Sequence, residues 1–134
     1  MQQRICAVLN TPVITLQPIF EQNFAALAAY QSSGRASTSW PREWQKQLGK
    51  ATLNYFEKFA DKLESLGFGK DDMLQEGFKD AVEKNEVELC VVEKVVNGHY
   101  NGCCFEGGVC KMQTTPEFWT ANVRDTAAEI VNLL

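Results

Sequence analysis

The chain has 134 residues, 45% of them apolar and 22% charged, with a net charge of −4. That is the size and mixture of one ordinary globular domain, and it excludes a disordered, low-complexity or repeat protein. Residues 1–70 carry eight Lys and Arg against five Asp and Glu, while residues 71–134 carry five against twelve. The second half therefore holds a net −7, densest from Asp71 to Glu93, and a field of that sign opposes direct nucleic-acid binding there.

The first residues, MQQRICAVLNTPVITL, contain a short apolar run from Ile5 to Leu9 that Asn10 and Pro12 interrupt. A secretory signal carries a longer unbroken apolar region, so this segment is assigned to the folded domain and the chain to the cytoplasm. No stretch approaches the roughly 18 apolar residues needed to span a bilayer, so no membrane association is expected.

Helical spacing begins near Gln17 or Pro18 and runs to Ser32, with Ile19, Phe20, Phe24, Leu27 and Tyr30 on one side. Ser39 as N-cap and Pro41 in the first turn open a longer helix, Trp40 to Leu66, which Gly67 ends. Asp71 or Asp72 caps a third helix from Met73 to Lys84, built on Leu74, Phe78, Ala81 and Val82.

The next run, 87–96, is rich in β-branched residues and places Val87, Leu89, Val91 and Val95 on one face. Asn97-Gly98, Asn101-Gly102 and Gly107-Gly108 are turn signals, the first a strong hairpin signal. A small antiparallel meander over about 87–112 follows, with strands at 87–96, 99–106 and 109–112. Thr114-Thr115-Pro116-Glu117 reads as a capping box opening a last helix to about Leu133. The expected fold is one α+β domain over 1–134: three N-terminal helices, the meander, and a closing C-terminal helix. The rival is an all-α bundle, in which the third helix continues to Val96.

Five cysteines without a signal sequence predict reduced thiols. Cys90, His99, Cys103 and Cys110 are soft ligands suited to zinc. Their spacing lacks the C-x-x-C pair of a closed zinc site, and adjacent Cys103 and Cys104 fall on opposite faces of a strand. His99 is the single histidine and so the one candidate base for thiol catalysis, and no third group to orient it is evident except Glu93 or Glu106. No nucleophile elbow or phosphate-binding loop is present.

These residues predict a non-enzymatic protein–protein interaction module, an adaptor, inhibitor or assembly factor, by analogy with small acidic regulators of phage and bacterial machines. No cofactor is expected. The expected partner is a protein with a basic surface, met by Asp71, Asp72, Glu76, Asp80 and Glu83. The surplus of apolar and aromatic residues along the long helix means either a central helix packed all round or a second interface, a homodimer or partner groove anchored by Trp40 and Trp44. Two alternatives stand beside this: a zinc- or thiol-based module on the 90–110 cluster, and a small-molecule binding protein with its pocket between the long helix and the sheet.

Overall fold

A computed structural model describes every residue except His99. The elements in chain order are α1 (Gln2–Leu9), β1 (Thr15–Gln17), α2 (Phe20–Ser32), α3 (Trp44–Ser65), α4 (Asp72–Ala81), β2 (Glu86–Val91), β3 (Asn101–Glu106) and β4 (Val109–Thr114). Short 3-10 turns lie at Phe68–Lys70, Val123–Ala127 and Ile130–Leu133. The class is α+β. Residues 86–91 are extended, so the all-α alternative is excluded.

The sheet is mixed rather than an antiparallel meander, with strand order β1-β2-β4-β3. β2 lies parallel to both β1 and β4, with Val87 opposite Leu16 and Cys110. Only β3 and β4 form a hairpin, turned by Gly107 and Gly108, both at positive φ. The Asn97-Gly98 signal does not join neighbouring strands. Residues 92–98 instead carry the chain past β4 to the far edge, held where Val96 N donates to Gln113 Oε1 and Asn97 Nδ2 to Cys103 O.

Strand alternation gives the sheet one apolar face and one polar face. Leu16, Val87, Leu89, Phe105, Cys103, Cys110 and Met112 share the first. Against it pack α3, through Tyr55, Phe59 and Leu63, and α4, through Phe78, whose ring meets Phe105 edge-on at 5.9 Å. Glu86, Glu88, Cys90, Lys111, Cys104 and Glu106 point the other way.

α3 is shorter than expected. Trp40 and Pro41 lie in the preceding turn, and the N-cap is Glu43 rather than Ser39, with no side-chain capping bond. At 22 residues it spans about 33 Å. Its buried residues, Trp44, Leu48, Thr52, Tyr55, Phe56, Phe59, Ala60 and Leu63, form one broad stripe, which absorbs the aromatic excess into the core. α2 starts at Phe20, after Ile19 in the left-handed region at φ 39°. It buries Asn23, Leu27 and Tyr30, leaving Phe20 and Phe24 on its outer side.

The closing segment is a chain of turns and 3-10 helices, not the expected α-helix. Thr120 and Asn122 adopt positive φ, at 71° and 50°, and each breaks a continuous helix. The apolar positions still face inward: Trp119, Val123, Ala127 and Ile130 are buried, and Leu134 is exposed.

Candidate functional site

α4 and its flanks carry the densest exposed charge. Asp71 is committed to the fold, since its Oδ1 accepts from Met73 N at 3.0 Å and Leu74 N at 3.1 Å and caps the helix. Asp72, Glu76 and Asp80 recur every four residues on the exposed side of α4, and exposed Glu83 follows just beyond its end. Phe78 and Gln75 face inward, with Gln75 Nε2 donating to Val8 O and Phe68 O. Only Lys79 neutralises part of this row, reaching Glu76 at 3.3 Å. Among the described residues Asp72, Asp80 and Glu83 form no ion pair. Met73, 85% exposed, stands in the same turn as Asp72 and Glu76 and is the most exposed large apolar side chain among those described.

Trp40 and Trp44 are not surface anchors. They are 5% and 0% exposed, and their indole N–H groups donate to Pro116 O at 2.7 Å and Gln31 Oε1 at 2.9 Å. Both sit in a run of rings with Tyr30 and Phe24 that fastens α2 to the start of α3. The residues that expose aromatic surface are Phe20, Phe24 and Tyr100, at 45%, 44% and 45%. Helical spacing counted Phe20 and Phe24 as core beside Leu27, whereas the buried stripe of α2 runs through polar Asn23 with Leu27 and Tyr30.

All five cysteines are unpaired thiols. Cys103 and Cys110 lie on the helix-covered face, and Cys90 and Cys104 on the polar face. The expected ligand set is therefore divided by the sheet, and its fourth member, His99, lies outside the described residues. Among the described residues no three His, Cys, Asp or Glu side chains are grouped to hold a metal ion. Burial pushes the Cys90 thiol up to about 12, helped by the neighbouring Glu88 carboxylate, and burial does the same to Cys103. Cys104 and Cys110 are raised for the same first reason. These four thiols stay protonated at neutral pH, the inert form for nucleophilic chemistry.

The interface between α3 and the sheet, where a ligand pocket was expected, is filled by core side chains, and Tyr55 bridges it by donating to Thr114 Oγ1 at 3.2 Å. A cleft opens elsewhere, beyond the carboxyl ends of β2 and β4, bordered by Tyr30, Arg35, Lys94 and Phe118. Nothing in the spacing of those residues marks them as neighbours. No helix among the described residues is long and apolar enough to cross a membrane.

No family model matches the chain, and no curated protein and no solved structure shows significant similarity to it.

Proposed function

We propose that this chain is a non-enzymatic interaction module, an adaptor, inhibitor or assembly factor, that docks a basic segment of a partner protein on the outer side of α4. The supporting observation is the row Asp72, Glu76, Asp80 and Glu83, with Met73 85% exposed among them. Carboxylates spaced by one helical turn match a run of lysines or arginines and speed encounter with it. A flexible thioether adapts to varied apolar surfaces and supplies the contact that charge alone does not. Such a partner would be met in the cytoplasm, where four protonated thiols also persist without pairing.

Zero-length carbodiimide coupling in cell extract tests this reading. Partner lysines are expected to be joined to Glu76, Asp80 and Glu83, and E76K/D80K is expected to abolish the coupling. Coupling spread evenly over exposed carboxylates such as Glu21 and Glu129 would reject the α4 surface. A homodimer is a second reading, favoured by Phe20 and Phe24, half-exposed one turn apart on α2. Light scattering of F20S/F24S against the unaltered chain decides it.

A further inference from the structure

Parallel β2 and β4 end side by side at Val91 and Thr114, and residues 93–95 and 115–118, which follow them, lie on either side of one opening. Between them opens a cleft of about 360 Å³, within the range of small-molecule sites.

The walls of this cleft are held in place from behind. Trp40 Nε1 donates to Pro116 O at 2.7 Å and fixes the turn after β4. Tyr30 packs on Trp40 with ring centroids 5.5 Å apart, and its hydroxyl donates to Arg35 O at 3.3 Å. The Arg35 guanidinium lies 5.3 Å from the Tyr30 ring centroid, and its Nε donates to Ser33 Oγ at 3.1 Å. Its two terminal nitrogens have no partner among the described residues, which leaves a preoriented fork for an anion. Phe118 and Tyr100 touch with ring centroids 3.7 Å apart and planes tilted by 35°, and both border the cleft with aromatic surface.

The remaining charges are Lys94, Glu93 and Glu117, none of them ion-paired among the described residues. Two cations and two carboxylates sum to zero, so a polyanion such as a nucleotide gains no net attraction. A ligand carrying both signs can use all four.

We propose that this cleft binds a small zwitterion bearing a flat ring, of the aromatic α-amino acid class. The carboxylate sits at Arg35 with Lys94 behind it, the ammonium faces Glu93 and Glu117, and the ring lies against Phe118 and Tyr100. This site is independent of the α4 surface and stands or falls without it.

Amide chemical-shift titration of the full chain with L-phenylalanine, 3-phenylpropionate and phenethylamine tests the proposal. L-Phenylalanine is expected to shift Val95, Thr115 and Glu117, and each analogue, lacking one charge, to bind at least tenfold more weakly. R35Q is expected to weaken phenylalanine and phenylpropionate together. E117Q is expected to weaken phenylalanine and phenethylamine but not phenylpropionate. No shift at about 10 mM, tenfold above a weak millimolar Kd, overturns the proposal. So does equal affinity for phenylalanine and phenylpropionate, which would make the cleft a simple anion site.

Discussion

Asn23 completes the edge of β2 as if it were a strand, its side-chain amide pairing with the backbone on both sides of Cys90. Nδ2 donates to Leu89 O at 2.8 Å, and Oδ1 accepts from Val91 N at 2.9 Å. β1 covers β2 only from Glu86 to Glu88, so these two backbone groups would otherwise be left open. A second bond, Nδ2 to Pro18 O at 2.9 Å, ties the same amide to the turn that begins α2. Asn23→Ala should therefore cost about 2–3 kcal/mol, the penalty of unpaired groups at a buried edge. Asn23→Asp should cost at least as much, because a carboxylate would face two carbonyls that now receive a donor. Urea unfolding of both variants checks the size, and faster hydrogen exchange at Val91 checks the location.

Tyr55 does for the C-terminal segment what Asn23 does for the sheet edge. Its hydroxyl donates to Thr114 Oγ1 at 3.2 Å and accepts from Thr120 N at 2.8 Å, where Thr120 holds φ 71°. Tyr55→Phe should cost about 1–2 kcal/mol by stranding the Thr120 N–H. Exchange of the Thr120 amide should rise more than that of Met112 in the sheet. Equal rises at both would mean global rather than local loosening.

The parts of this fold legible in the sequence are those written in local pattern. α3, the start of α4 and the Gly107-Gly108 turn declare themselves through spacing, a capping aspartate and positive φ. The parts that were not legible depend on distant partners. β1 is three residues long and exists because it lies beside β2, some seventy residues later. Asn97-Gly98 is a sound turn signal, yet β4 takes the place beside β2 and sends β3 to the edge. Of the expected site residues, the exposure of Asp72, Glu76, Asp80 and Glu83 was legible because spacing of three or four residues keeps charges on one helix side, whereas Asp71 is spent on the cap. Trp40 and Trp44 were misplaced because an apolar surplus on a helix reads the same whether a core or a partner covers it.

Two glycines separate the roles that composition cannot distinguish. A Cβ on Gly102 would collide with Asn97 O and lie 2.8 Å from a Val95 methyl, because residues 92–98 cross β3 there. Gly102→Ala should cost about 3 kcal/mol by forcing that crossing segment away. A Cβ on Gly49, inside α3, would meet nothing within 4 Å. Gly49→Ala should stabilise by about 0.5–1 kcal/mol through helix propensity and a less flexible unfolded chain. Thermal unfolding that ranks the two otherwise would contradict the path of residues 92–98.

The raised thiols make alkaline pH the vulnerable side of this protein. Cys90 and Cys103 titrate near 12 in the fold, against about 8.5 when unfolded, because burial disfavours the thiolate. Cys110 and Tyr55 are shifted upward by the same cause. For groups held protonated by the fold, the stabilising contribution is complete below the unfolded value and is lost as pH rises toward the folded one. The urea midpoint should accordingly hold steady from pH 7 to about 8 and then fall progressively toward pH 12. Cys103→Ala should flatten part of that fall while lowering the midpoint at pH 7 only modestly, since it removes a titrating group and one buried sulfur. Alkylation at pH 8 should leave Cys103 and Cys110 unmodified in the folded chain and reach all five cysteines in denaturant. Rapid modification of Cys110 without denaturant would mean that the face of the sheet beneath α3 and α4 opens readily, contrary to the packing of Phe78 on Phe105.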